Sequence, residues 1–562
     1  MAQATSGDEW WKGAIFYQIY PRSFKDNNGD GVGDLPGITE KLDYIAALNV
    51  DALWICPFYK SPMRDFGYDV ADFEDVDPLF GTLDDFRALL EKAHRLGLKV
   101  VIDQIISHTS DEHPWFKESR RTAFNAKKDW YVWCDPATDG SAPTNWLSRF
   151  GGPAWTYAIR RGQYYLHNFY ASQPDLNLHN PEVVEAVLNA MEFWLKMGVD
   201  GFRMDAVSYY LHDRQLRKNP PRPRGERFEG LSFIDPCSMQ EHRYNRSSPK
   251  IFDLLEKIRG LMDKYPGTVT LGEASGDSSD KTMEMAIRYT EGNKYLHTAY
   301  SHTLIAGNEL TADFIRSHVE RFEEIAQGKA WPSWAFSNHD VIRAMTRFNR
   351  ERDPHPDFAK LLMALLTSLK GTPVVYQGEE LGMTQPTLPF EALRDHWGIF
   401  LYPEWQGRDG ARTPVPWRDE LGAGFSATTD TWLPVPDDHR TICVETQEHQ
   451  KDSPLLFTRA FFEWRRTVPA LIKGDIVFLN FTAEVPHTVL GFIRVRDEDA
   501  VLCLFNLSDE PLTMKAPPEI DGESLYDAGA QTIAYDPSKG TVAMPAYGLG
   551  WFSVKSASMA AG

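Results

Sequence analysis

Four short apolar runs end in an acid: VVID at Asp103, GFRMD at Asp205, LGE at Glu273 and FSNHD at Asp340. A charged carboxylate can serve as nucleophile or base, and a protonated one as acid. Two of them flanking one bond are what glycoside hydrolysis needs. Side chains alternate along a strand, so Arg203 and Asp205 share a face while Phe202 and Met204 point the other way. A guanidinium beside Asp205 favours the charged form, as a nucleophile requires. Glu273 follows the apolar stretch VTLG, and poorer solvation there is expected to raise its pKa and keep it protonated. Capping of the next helix would explain one or two of these acids. Four acids brought to one mouth repel one another, which argues for use. On residues alone this reaches a carboxylate-based hydrolase and stops.

A second group of oxygens lies in DNNGDGVGD, residues 26–34, with Asp26, Asn28, Asp30 and Asp34 at alternate or near-alternate positions. Glycines allow the tight turn. The pattern is half of an EF-hand loop without its distal bidentate Glu, and oxygen-only ligands suit Ca2+ or Mg2+. An acidic surface turn reads equally well from spacing. The glycines do not fit a dinucleotide loop.

Elements must carry these groups to one place. Apolar runs at 15–20, 52–57, 99–106, 199–207, 269–274, 331–337 and 373–376, with a weaker one at 297–303, alternate with amphipathic stretches at 83–96, 181–197, 251–265 and 358–369. About eight strand–helix units predict an α/β chain closed as a (β/α)8 barrel, whose active sites gather at the C-terminal strand ends. Residues 1–107 and 178–470 are assigned to it. Residues 108–177, rich in Trp, Gly, Pro and Tyr, read as a subdomain inserted after the third strand. Residues 208–250, containing NPPRPRG, read as a long loop after the fourth, and 379–451 as an excursion after the eighth. Connections this long in a compact domain are usually functional. After a last helical stretch at 455–468, residues 471–562 show short alternating strands and turns such as DPSKG, the pattern of a C-terminal antiparallel β-domain.

The 562 residues are 42% hydrophobic and 25% charged with a formal charge of −20, a globular composition. So acidic a chain is expected to bind neither nucleic acid nor an anionic membrane. Five scattered cysteines without C-x-x-C spacing suggest neither disulfides nor zinc. The first residues lack the basic and apolar regions of a signal peptide, and no apolar run is long enough to span a bilayer. A cytoplasmic enzyme taking small imported substrates is expected. The 13% aromatic content, with 17 Trp, fits core packing and also sugar stacking.

From GAIFYQIYPRSF through DQIISH, QPDLN, GFRMDAV, LGEA and FSNHD to GTPVVYQGEELG, nearly the whole chain resembles the α-amylase superfamily, in its α-glucosidase and oligo-1,6-glucosidase branch. The resemblance implies Asp205 as nucleophile, Glu273 as acid/base and Asp340 as the third acid holding sugar hydroxyls. It places His108, Arg203 and His339 around the non-reducing-end glucose. Asp65 and Tyr68 in DFGYD resemble a pocket acid and stacking ring, and Arg408 in RDGARTP the arginine that closes the pocket with Asp65. Phe150 and Phe169 read equally as pocket walls or core. The family's similar loop adds the Val32 carbonyl to a structural metal site at 26–34. Where the family usually has Asn before the third-strand His, this chain has Ser107, so no metal is expected there.

The activity so implied is release of terminal α-1,4-linked glucose from short oligosaccharides such as maltose, with retention, transglucosylation as a side path and no organic cofactor. Small α-glucosides are the expected partners. Whether the chain is a monomer or homodimer is not legible. In this branch the residue after the nucleophile, Ala206, accompanies α-1,4 rather than α-1,6 cleavage. Rivals are an α-1,6-specific glucosidase and a sucrose-acting enzyme, and, from another class, a catalytically dead transporter-associated homologue, which would have lost the acids retained here.

Overall fold

The computed structural model of the chain describes residues 9–223, 235–349, 353–481 and 485–554. Eight strands carry the site: β1 (Phe16–Ile19), β2 (Ala52–Ile55), β3 (Lys99–Gln104), β4 (Gly201–Met204), β5 (Val269–Ala274), β6 (Thr298–Ser301), β7 (Pro332–Ala335) and β8 (Thr372–Tyr376). They close into a barrel in the order β1-β8-β7-β6-β5-β4-β3-β2, each pair parallel. Seven fall within an apolar run predicted from sequence, the weak run at 297–303 included, and β8 starts one residue before its run at 373–376.

The barrel lumen is filled by Phe16, Trp54, Val101, Leu271, Tyr300, Val374 and Tyr376. Alternate residues of the same strands, such as Ile19, Ile102, Phe202 and Met204, join the larger core between barrel and helices. That outer layer contains α1 (Leu83–Arg95), α2 (Pro181–Met197), α3 (Ile251–Met262), α4 (Ser279–Thr290), α5 (Ala312–Ala326), α6 (Pro356–Ser368) and α7 (Pro454–Arg465). Their ends obey local chemistry. Thr82 and Asp85 form a reciprocal capping box at α1. Asn180 caps α2 with Pro181 behind it, and Gly198 at φ 107° ends that helix in the left-handed region.

Between β3 and β4 stands a three-stranded antiparallel sheet of Trp133–Cys134, Gln163–Leu166 and Trp155–Ala158, over a small core containing Val132, Trp146, Trp155 and Leu166. The connection after β4 lies partly at 224–234, outside the described residues. The C-terminal part is antiparallel: a five-stranded sheet from Asp475–Phe478 to Leu549–Val554 and a three-stranded one, with its own apolar core. It is bolted to the barrel by Arg494, fully buried, which donates to the carbonyls of Ser368, Leu471 and Gly474. All five cysteines are free. Among the described residues no helix is long and apolar enough to cross a membrane.

Candidate active site

Strand β4 sets the centre. Phe202 and Met204 face the helices, and Arg203, 1% exposed, projects inward. Its guanidinium is shared among three carboxylates. Nη1 lies 2.6 Å from both Asp103 and Asp205, and Nη2 lies 2.7 Å from Glu273. Nη2 also donates to the Tyr300 hydroxyl at 3.0 Å. Asp103 is fully buried and is held besides by the Trp54 indole at 3.0 Å. It therefore underpins Arg203 and does not line the cavity, so three of the four strand-end acids, not all four, face the mouth.

Just beyond β4 the chain turns at Ala206, whose φ of 45° is in the left-handed region. That turn aims its N–H at Glu273 Oε2, 2.9 Å away. Both Oε2 contacts are donors. Glu273 Oε1 faces His302 Nε2 at 3.3 Å.

The proton order differs from the sequence-based expectation. Burial works to raise Glu273, but Arg203, His302 and the Ala206 N–H outweigh it and hold its pKa at about 2. Burial pushes Asp205 well above the carboxylate range, with the charges of Glu273 and Asp103 adding to it against Arg203. Both directions run against the sequence-based expectation of a low Asp205 and a raised Glu273. The physical reason is partnership: Arg203 is divided three ways, and Glu273 has the Ala206 N–H and the His302 ring beside it as well.

At the other side of the cavity, Asp340 sits past β7. Burial opposes its ionisation, yet His339, Arg408 and Arg412 hold it below the usual carboxylate range. Arg412 reaches it at 2.8 Å and Arg408 at 3.4 Å. Arg408 also pairs with Asp65 at 2.9 Å and Asp395 at 2.8 Å, all three side chains being almost wholly buried. The Tyr68 and His339 rings lie parallel, centroids 5.3 Å apart, with the hydroxyl 2.7 Å from Nε2. His108 is kept neutral by burial, its pKa down at about 4. It donates from Nε2 to the Tyr68 carbonyl and is flanked by the Ser107 hydroxyl at Nδ1.

These groups surround a cavity of about 280 Å³. Asp65, Tyr68, His108, Phe150, Phe169, Asp205, Ala206, Glu273, Asp340 and Arg408 all line it, so the two phenylalanines are walls. Arg203 and His339 lie behind that lining. Phe150 also packs beneath the Arg408 guanidinium at 4.9 Å and beside Trp397 at 5.2 Å. Sequence reasoning missed Asp395, Arg412, Gln173 and His302. Arg412 stands in the same RDGARTP segment as Arg408, and its nearness was the available signal. Asp395 and His302 carry no local pattern.

The loop at 26–34 is elsewhere, clasped to the 379–451 excursion. Asp26 accepts from Gly29 and Gly31 N–H groups at 2.7 and 2.9 Å and from the Ser426 hydroxyl at 2.5 Å. Asn28 Oδ1 accepts from Asp30, and Asp30 from the Val32 N–H. Asp34 accepts from Asn27, Asn28 and Gly37, the last capping the following helix. In this arrangement no group of three or more His, Cys, Asp or Glu converges as a metal cluster among the described residues. Asp26 and Asp34 are nevertheless 2% exposed, and neither forms an ion pair among the described residues. Burial raises the Asp34 carboxyl. The Lys25 ammonium acts on both without pairing with either, and two buried carboxylates in an all-oxygen loop fit a hard divalent cation.

The sequence matches the alpha amylase catalytic domain over residues 18–474. It is 48% identical over 510 residues to a probable alpha-glucosidase of Rhizobium meliloti (strain 1021), covering 91% of each chain. It is 35% identical over 547 residues to an oligo-1,6-glucosidase of Parageobacillus thermoglucosidasius, covering 91% of this chain and 92% of that one. The fold superposes on a crystal structure of an alpha-glucosyl transfer enzyme with a TM-score of 0.92 at 48% identity, covering 97% of this chain and 99% of that one. Fold, carboxylate geometry and these likenesses agree: the chain belongs to the α-amylase family of glycoside hydrolases.

Proposed function

We propose that the protein is a retaining, exo-acting α-glucosidase that releases terminal α-1,4-linked glucose from short oligosaccharides such as maltose. The observation that carries this is a pair of carboxyls on one guanidinium, Asp205 and Glu273, facing a cavity walled at one end by the buried Asp65–Arg408 pair. Asp205 attacks the anomeric carbon while Glu273 protonates the departing oxygen. Water activated by Glu273 then frees glucose, and a sugar or alcohol in its place gives transglucosylation. Asp340 receives sugar hydroxyls, Tyr68 stacks on the ring with His339 behind it, and Arg408, Asp65 and His108 grip the non-reducing end.

Asp205 must be charged to attack and Glu273 protonated to donate. A sugar that excludes water beside Glu273 favours its protonated form, and a positive anomeric centre favours a charged Asp205.

The test is a product profile with maltose, isomaltose and sucrose, with the anomer of the first glucose read by NMR. Maltose is expected to be preferred and the first product to be α. Asp205→Asn and Glu273→Gln are each expected to cut kcat by several orders of magnitude with the fold intact. A β first product, or near-full activity in either variant, overturns the assignment. Preference for isomaltose would instead support the α-1,6 reading, which the oligo-1,6-glucosidase likeness keeps in play.

We further propose that the 26–34 loop holds Ca2+ or Mg2+ through Asp26, Asn28, Asp30, Asp34 and the Val32 carbonyl, and that its part is structural, since none of these residues lines the cavity. Free cysteines support a reducing, cytoplasmic setting.

A further inference from the structure

Glu273 has two chemically unlike oxygens. Oε2 faces the Ala206 N–H at 2.9 Å and Arg203 Nη2 at 2.7 Å. Both are donors with no acceptor capacity, so a proton on Oε2 would point at other protons. Oε1 faces His302 Nε2 at 3.3 Å, and an imidazole nitrogen can accept or donate. When Glu273 works as an acid, its proton therefore belongs on Oε1.

His302 is the first residue past β6 and lines the cavity. Its side chain is 30% exposed, and its ring stands edge-on to Tyr300 at 5.7 Å. Other charged and titratable groups that act on Glu273 are Asp103 on β3, Arg203 and Asp205 on and after β4, Tyr210 beyond it, and Tyr300 on β6. Arg203 is committed to the carboxylates. His302 is the neighbour of Glu273 that can both exchange a proton with Oε1 and reach solvent through the cavity.

We propose that His302 positions the acid proton of Glu273 on Oε1 and exchanges that proton with the cavity solvent. The role rests on the glucosidase reading above. In the first step the proton leaves Oε1 for the glycosidic oxygen as the C1–O bond breaks and its electron pair passes to that oxygen, while Asp205 bonds to C1. In the second step water gives a proton to Oε1 and its oxygen to C1, and the Asp205–C1 bond breaks with its electrons returning to the carboxylate. The proton count of Glu273 is restored, and His302 lets Oε1 exchange a proton with the cavity solvent as substrate binds.

The experiment compares His302→Ala and His302→Gln with the unmodified enzyme on two substrates across pH. Maltose has a poor leaving group that needs protonation. A p-nitrophenyl α-glucoside has a good one that does not. General acid help is worth about 10²-fold or more, so His302→Ala should lower kcat on maltose by at least roughly tenfold, with a much smaller loss on the aryl glucoside. His302→Gln, which keeps a polar side chain there but not an ionisable one, should retain KM and the melting temperature yet still change the pH dependence of kcat/KM on maltose. Equal losses on both substrates, or an unchanged pH profile in both variants, overturn the proposal. If the unmodified enzyme cleaves neither substrate, it is the glucosidase reading that fails, so the two failures are distinguishable.

Discussion

Ala206 shows how one backbone angle serves two ends. In the left-handed region its N–H turns inward to Glu273, and its methyl borders the cavity beside Asp205. A small side chain there leaves room for a leaving sugar on the direct α-1,4 path, whereas a β-branched one would crowd it. Ala206→Val is expected to shift the maltose-to-isomaltose ratio toward isomaltose by about tenfold, as a methyl or two in a pocket can. It should also lower stability by about 1–2 kcal/mol, because a β-branched side chain resists that conformation more than Ala does. Ala206→Gly, free of the strain, should change the melting temperature little and leave maltose preferred. Parallel melting curves and rates on both disaccharides separate strain from specificity, and an untouched ratio in the Val variant would remove Ala206 as the linkage determinant. The identities of the three acids were legible from sequence. Their proton order was not, because it depends on Arg203 being shared and on a histidine from another strand.

At the scale of elements, the eight strands were readable because each is a short apolar run bounded by turns, and four of them end in an acid. Helices α4 and α5 were passed over: long polar faces dilute their apolar stripes. The long connections were visible as Trp-, Gly- and Pro-rich stretches, but where they fold back to was not. No periodicity tells that 379–451 returns Asp395, Arg408 and Arg412 to the barrel mouth. That excursion is held by the 26–34 loop, through Asp26 N–H to the Phe425 carbonyl at 2.9 Å and Trp432 N–H to the Gly31 carbonyl at 3.0 Å. If the loop binds a divalent cation, chelation should lower the melting temperature, and adding Ca2+ or Mg2+ back should restore it by mass action. Calorimetry before and after verified metal removal checks this. No shift would mean that the hydrogen bonds close the loop unaided.

The whole molecule buries many titratable groups, in the site and away from it. Burial lowers His108, His167, His242 and His439 to about 4, and His113, His212, His297 and His339 to about 3. In the unfolded chain each titrates near 6.5. Below that value the unfolded state binds more protons than the folded one, so stability is lost as pH falls from about 6.5 toward 4. Buried carboxylates act in the opposite sense: Asp69 is raised to about 6, and Asp175 and Glu379 to about 7. Asp34, Asp65, Asp103, Asp205, Asp235, Glu380 and Asp409 are raised by burial too and offset part of the effect of the eight histidines. The melting temperature is expected to fall steadily between pH 6.5 and 4.5, and a flat profile across that window would show that the imidazoles are not buried neutral.

The Arg408–Asp65 pair has a consequence for bulk behaviour. A binding cavity walled at its far end admits a chain by its tip alone, so a polymer offers one target however many bonds it contains. On a starch paste, the free glucose measured would climb while a viscometer registered almost nothing, since thinning requires cuts in the middle of chains. At equal mass, substrates of increasing length would become steadily poorer, because tips are diluted as chains grow.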